Sequence, residues 1–248
     1  MNIGGVDIGT GHPCRTVAEL SNNHNGSLDR AKRMIKAAKD AGADFVKFQC
    51  FTPDELIALR GDGPAPEPWG SDGYTMATLY AKAQTPHEWF PKLVEHAKEV
   101  GIPWFSSVFG LTSLALLEEL DCPAYKIAAI DAEDEGLNKW AAASGKPVIR
   151  SERPSDSLPV PVGVTLLCPE GYPQPSAQLG QLRWYHTGYS YHGTNPETPA
   201  LAALCGAKLV EVHFQLEDEP SELEADVSLT EMQFAGMVGR IRHYEGLL

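Results

Sequence analysis

Nothing in this chain pairs its cysteines. The five (Cys14, Cys50, Cys122, Cys168, Cys205) are odd in number, scattered and never spaced C-x-x-C, which argues against a disulfide framework and for reduced thiols. No apolar run approaches the ~20 residues of a membrane span. The opening MNIGGVDIGTGHPCR has neither an apolar h-region nor a cleavage site. Positive charge is scarce as well: 20 Lys and Arg stand against 33 Asp and Glu, a net charge of −13 over 248 residues. With no basic stripe, neither a nucleic acid nor an anionic membrane is an expected partner. A small anionic substrate is still admissible, because a few inward-facing cations can serve one site. Internal repeats and low-complexity tracts are also missing. The expectation is a cytoplasmic protein of one catalytic domain, residues 1–248.

What is present is alternation. Short β-branched or aromatic runs recur, each followed by a helical pattern, the signature of parallel strands with helical crossovers. The first strand is read at Thr16–Ser21, followed by a helix with Ser27 as N-cap, Leu28, Ala31, Met34, Ile35 and Ala38 at helical spacing, and Gly42 closing it. Strand two is Phe45–Cys50. The Gly- and Pro-rich insertion Thr52–Gln84 reads as a loop across the barrel mouth. Helix two is placed at Thr85–Val100, capped by Thr85, and strand three at Trp104–Phe109. Helix three follows at Thr112–Leu120, strand four at Tyr125–Ile130, helix four at Glu135–Ser144 and strand five at Pro147–Ser151.

Between strand five and strand six (Val162–Cys168) lies only ERPSDSLPVP, too short and proline-rich for a full helix. The fifth helix is therefore expected to be missing or reduced. A short helix at Ser176–Arg183, strand seven near Thr187–His192, a helix opening at NPETPALAALCG and strand eight at Lys208–Gln215 complete the pattern. A last helix, Ser228–Tyr244, opens on a capping box of Ser228 and Glu231. The predicted fold is α/β, a (β/α)8 TIM barrel with an N-terminal hairpin plugging its base.

Active sites of this fold gather at the C-terminal strand ends. Polar and ionisable residues collect there: Glu19, Lys47 and Gln49, Ser107, Lys126, Arg150 and Ser151, Glu170 and Tyr172, His192, Glu211 and His213. Charge inside an apolar strand is costly unless paired or functional, so this convergence points to an enzyme. His192 and His213, at the ends of adjacent strands, form a candidate divalent-metal pair. Two neutral imidazoles suit Mn, Zn, Fe, Co or Ni and leave positions for substrate and water; Glu211 is placed to ligate or to support them. The other histidines, His24 among them, mostly read as surface. The acidic run QLEDEPSELEAD reads as a solvated loop, with Asp226 beside the mouth.

The segment AELSNNHNGSLDRAKRMIKAAKDAGADFVKFQ resembles the opening of the sialic acid synthase family, and PAYKIAAID, GKPVIRS, LLCPEGYPQP, GYSYHG, VEVHF and ADVSLT follow in order. The resemblance implies a transferase of carbohydrate biosynthesis that condenses phosphoenolpyruvate with an aldehyde amino sugar. It implies a divalent metal, manganese first and Zn, Fe, Co or Mg otherwise, on His192 and His213. Glu19, Gln49, Tyr172 and Asp226 match positions beside the sugar or metal; Lys47 and Lys126 match cations for the carboxylate and phosphate, and Ser151 a phosphate-side position. Glu19 or Glu211 would be the base for an attacking water.

Some positions depart from the family pattern. Ala129 stands where a phosphate-binding serine is usual, Glu170 where an asparagine is usual, and Tyr191 replaces an aspartate; strand three ends Ser107-Val108-Phe109-Gly110. The family's C-terminal antifreeze-like domain is not expected here. Arg150 and Arg153 would compensate by gripping an anion. Two other readings stay open: a metal-dependent lyase, aldolase or isomerase acting on a 2-oxo or hydroxy acid after loss of the phosphate pocket, and a non-catalytic binding protein. A homodimer is a further expectation.

Overall fold

The computed structural model describes residues 1–155, 163–182 and 187–247. Eight parallel strands form the closed wall: β3 (Arg15–Glu19), β4 (Phe45–Cys50), β5 (Trp104–Val108), β6 (Tyr125–Ile127), β7 (Val148–Glu152), β8 (Val164–Leu167), β9 (Gly188–Tyr191) and β10 (Leu209–Gln215). Each pairs with the next in parallel, and β10 pairs with both β9 and β3, so no edge remains. The register sets Glu19 beside both Lys47 and His213, and Ser107 beside Lys126. A short antiparallel hairpin, β1 (Asn2–Ile3) with β2 (Val6–Asp7), precedes the barrel. Arg15 Nε, at the N-terminal end of β3, donates to the Asp7 carbonyl at 3.0 Å, and Ile3 and Ile8 join the core. The hairpin therefore sits at the base, opposite the strand ends that carry the polar residues.

Local chemistry fixes the crossovers. Helix α1 (Leu28–Asp40) begins where Ser27 accepts from Arg30 N and buries Ala31, Met34, Ile35 and Ala38, a helical-period stripe against the strands. Helix α4 (Phe90–Val100) stops at Gly101, whose φ of 73° is the left-handed conformation a C-cap demands. At Gly188 a Cβ would strike the Leu209 carbonyl, so β9 approaches β10 closely only because no side chain stands there.

Several expectations are corrected. The insertion at the mouth is not all loop: it carries α2 (Pro53–Arg60), with Thr52 accepting from Glu55 N, and α3 (Met76–Ala83), with a Thr75–Thr78 capping box. Side-chain caps start helices on either side of the Gly- and Pro-rich stretch that suggested a loop. Thr85 caps no helix. A 3-10 turn, His87–Trp89, precedes α4, and Thr85 Oγ1 lies 3.2 Å from His24 Nε2. Strand four ends at Ile127 and turns into a 3-10 segment, Ala129–Asp131.

Helix α5 (Leu111–Glu119) and helix α6 (Glu135–Ala143) match the third and fourth helices, and α7 (Glu197–Leu204) the penultimate one. The helix expected from Ser176 is, among the described residues, a single turn at Leu179–Gln181; Arg183 and His186 lie outside them. Ser228 opens no helix. Ser228–Thr230 is strand β11, paired to β10, and α8 (Glu231–Glu245) is capped by Thr230 with Gln233. The expected loss of the fifth helix, and Val162 at the start of strand six, fall on residues 156–162, outside the described set. No helix among the described residues is long and apolar enough to cross a membrane.

Candidate active site

A cavity of about 420 Å³ opens at the C-terminal ends of the strands. Its wall takes Lys47 and Gln49 from β4, Ser107 from β5, Lys126 from β6, Ser151 from β7, and Glu211 and His213 from β10. Arg153, Glu170, Tyr172 and His192 come from the segments that follow the strands. Because successive strand residues face opposite sides, Lys47 and Gln49, or Glu211 and His213, enter together.

The floor is a chain of alternating charge. Lys47 Nζ lies 2.5 Å from Glu19 Oε2 and 2.9 Å from Glu211 Oε1, and Lys126 Nζ lies 3.8 Å from the same Glu211 oxygen. All four side chains are almost fully buried. Burial pushes the Lys47 ammonium down and Glu211 pulls it partly back, leaving it at about 8. Burial raises the Glu211 carboxyl, but Lys126 and Lys47 outweigh it and hold it below the ordinary carboxylate range. Glu19 stands behind this wall, its Oε1 accepting from Ser21 N at 2.6 Å. Ser151 Oγ and Glu211 Oε2 are buried with no hydrogen-bond partner, so the cavity holds polar atoms that an incoming ligand would satisfy.

Beside this floor stand the two histidines, ring centroids 5.0 Å apart, with Tyr172 5.0 Å from His192. Burial drives His192 down to about 3, with His213 adding to the effect, so its imidazole is neutral. His213 Nδ1 lies 3.1 Å from Glu224 Oε2, and the Tyr172 hydroxyl donates to Glu224 Oε1 at 2.5 Å. Burial alone would raise the Glu224 carboxyl; His213 and the hydrogen bonds from His213 and Tyr172 bring it to about 2. Burial, then the Glu224 charge, pushes the Tyr172 phenol far up, so it remains a donor. A carboxylate behind Nδ1 leaves the His213 Nε2 lone pair for the cavity, the arrangement that orients metal-ligating histidines. Among the described residues no set of three or more His, Cys, Asp or Glu side chains forms a metal cage. The protein thus offers two imidazoles, a donor set that suits an open divalent site whose other positions go to substrate or water.

Four residues stand in surroundings other than those expected. Arg150 does not enter the cavity: it shares β7 with inward-facing Ser151, so parity turns it outward. There it donates to Asn138 Oδ1 at 2.8 Å and to Glu152 Oε1 at 2.9 and 3.2 Å. Asp226 is exposed and lines an adjoining cavity of about 220 Å³, which Trp69 and Tyr172 separate from the first. Glu170 is an exposed rim residue accepting from Ser155 Oγ at 3.0 Å, where solvent screens its charge. His24 is not a surface residue. It is buried, held at about 4 chiefly by burial, and accepts from Gly26 N at 3.1 Å.

Glu224 escaped the sequence reading because it lies in an acidic run otherwise largely exposed. Ser221 Oγ accepts from Leu223 N and Glu224 N, a serine turn that aims Glu224 inward; Ser221 was the available signal. Trp69 lies in the Pro-rich insertion, half-buried in the cavity wall, with Nε1 donating to Leu223 O at 3.0 Å. It ties the mouth insertion to the loop that carries Glu224.

Comparison with known proteins agrees with this fold. A family model described as NeuB family matches residues 34–156 and 164–248. The pseudaminic acid synthase of Helicobacter pylori is 35% identical, covering 93% of this chain and 74% of that protein. The human N-acetylneuraminate-9-phosphate synthase is 28% identical over 97% of this chain and 73% of its own length. A crystal structure of the N-acetylneuraminic acid (sialic acid) synthetase from Leptospira borgpetersenii, in complex with citrate, superposes with a TM-score of 0.84 at 25% identity. It covers 100% of this chain and 89% of that one. A truncated 3-deoxy-D-arabino-heptulosonate 7-phosphate synthase from Thermotoga maritima shares the barrel alone, with a TM-score of 0.69 at 13% identity.

Proposed function

The chain belongs to the NeuB family, and from that premise we propose that it condenses phosphoenolpyruvate with the aldehyde of an open-chain N-acetylated amino sugar. The enol carbon forms a C–C bond to the aldehyde carbon, whose oxygen takes up a proton. Water then adds at C2 of the former phosphoenolpyruvate, and inorganic phosphate leaves.

The observation that carries this reading is the cation set of one half of the cavity. Lys47, Lys126 and Arg153 line it with Ser107 and Ser151, a set matched to a ligand with both a carboxylate and a phosphate. Buried ammonium groups neutralise such an anion strongly because little water competes. In the other half, His192 and His213 would hold a divalent cation, manganese or a similar ion, which supplies Lewis-acid polarisation of the aldehyde. Tyr172, kept protonated, donates a hydrogen bond beside the same pair.

Glu211 is the base for the attacking water. Its side chain lines the cavity and its Oε2 accepts no hydrogen bond, whereas Glu19 is not part of the lining and its oxygens are held by Ser21 N and by the ion pair with Lys47. An anionic co-substrate beside Lys126 draws that cation's field away from Glu211 and raises its basicity. With Arg150 turned outward and Glu170 at the rim, the lyase alternative loses two of the features that suggested it.

Phosphate release tests the proposal: it is expected only when phosphoenolpyruvate, a divalent metal and an aldehyde sugar are present together. Release that does not depend on the sugar, or none across a panel of N-acetylated amino sugars, contradicts it.

A further inference from the structure

Gln174 encloses His192. Its backbone N donates to His192 O at 2.8 Å, and its side-chain Oε1 accepts from His192 N at 3.1 Å. That second contact fixes which end of the carboxamide is which. The NH2 end is then set 2.9 Å from Pro169 O, 3.2 Å from Ser190 O and 3.2 Å from His192 Nδ1. Turning the amide over would place its oxygen against two carbonyls and its nitrogen against an N–H, so three contacts oppose the flip. Cys168 Sγ, 3.8 Å from Nδ1, is a longer and weaker neighbour. Nε2 has no hydrogen-bond partner among the described residues and is the nitrogen left for the cavity.

We infer that Gln174 is a positioning residue that holds His192 with Nδ1 as acceptor, so that the metal-free imidazole carries its proton on Nε2. The inference rests on the function proposed above only in its consequence for metal. The two histidines are then oppositely prepared. His213, backed by the Glu224 carboxylate, has its Nε2 lone pair free, while His192 must move a proton from Nε2 to Nδ1 before that nitrogen can accept a cation. The moved proton would face the Gln174 NH2, exchanging an attraction for a repulsion. Gln174 thus lowers the affinity of the pair for metal while fixing the ring in place.

Long-range 1H–15N NMR on the metal-free protein tests this, with Gln174→Ala and the length-conserving Gln174→Met. In the unsubstituted protein Nδ1 of His192 is expected in the unprotonated range and Nε2 in the protonated range. In both variants the two resonances move toward each other as the tautomers mix, and Mn2+ titrated calorimetrically without substrate binds about tenfold more tightly, because the cost of exchanging one hydrogen bond on moving the proton is removed. A His192 protonated at Nδ1 in the unsubstituted protein overturns the inference, as does Mn2+ binding that is unchanged or weaker in both variants. Melting temperatures identify a variant that has simply lost packing, a change that by itself moves neither imidazole resonance. If the unsubstituted protein and both variants bind no divalent metal, the proposed function fails, while the NMR spectra still decide the role of Gln174.

Discussion

Glu224 Oε2 lies 3.1 Å from His213 Nδ1, although the two residues belong to different structures: one to an acidic surface loop, the other to the last barrel strand. The loop is folded back by Gln215, whose Nε2 donates to Ala225 O and Ser228 O and whose Oε1 accepts from Ser221 N. Replacing the carboxylate by an amide, Glu224→Gln, keeps the shape and removes the charge behind the imidazole. Mn2+ affinity is expected to fall about 10- to 100-fold, measured by calorimetry. An unchanged affinity would mean that His213 is not a ligand.

The Glu19–Lys47–Glu211 chain is a buried ion network, where loss of one member leaves the others uncompensated. Lys47→Met is expected to lower unfolding stability by about 3–5 kcal/mol. The quadruple change that also makes Glu19→Leu, Lys126→Met and Glu211→Leu should recover a large part of that loss while remaining inactive. Urea denaturation measures both. A Lys47→Met protein as stable as the parent would show that the lysine is not paired in solution.

Arg150 and Arg153 should separate cleanly. Arg150→Met removes the hydrogen bonds to Asn138 and Glu152 and is expected to destabilise by about 2 kcal/mol, with KM for phosphoenolpyruvate near the parent value. Arg153→Ala is expected to raise that KM about tenfold or more. A raised KM on changing Arg150 would place its guanidinium in the cavity after all.

Stability should fall on mild acidification. His24 is held at about 4 in the fold against an ordinary 6.5, so the unfolded chain binds the extra proton between those values and ∂ΔG/∂pH is positive there. The stability is fully present above about 6.5 and is lost as pH falls toward 4, on the order of 3 kcal/mol for this group. His192, held lower still, adds to the same slope in the metal-free protein. The diagnostic is therefore the flattening of this slope in His24→Gln, followed by thermal melts from pH 7 to 4. A slope equal to the parent's would place His24 in water.

Much of this was legible in the sequence because a barrel repeats one simple grammar. The strand run Phe45–Cys50 and the Ser27-capped helix carry their own periodicity and caps, and Lys47, Lys126, Glu211 and His213 are conspicuous as charge or imidazole inside apolar strands. Arg150 was misplaced where the same grammar already spoke against it: adjacent residues of a strand cannot both face the cavity, and Ser151 does. Glu224, Trp69 and Gln174 were hidden for another reason. They lie in loops whose direction is set by single turns and by contacts with residues distant in the chain, such as Trp69 with Leu223. His24 looked exposed beside polar neighbours, but Thr85 and Trp89, far along the chain, cover it.

The most direct test follows the carbon. Uniformly 13C-labelled phosphoenolpyruvate is incubated with Mn2+, the protein and an N-acetylated amino sugar, and the products are analysed by mass spectrometry. The expected result is a new sugar acid carrying every labelled carbon, formed in step with inorganic phosphate and not formed by Lys126→Met. Labelled phosphoenolpyruvate recovered intact across the sugar panel, or labelled pyruvate with no sugar adduct, would contradict the synthase assignment.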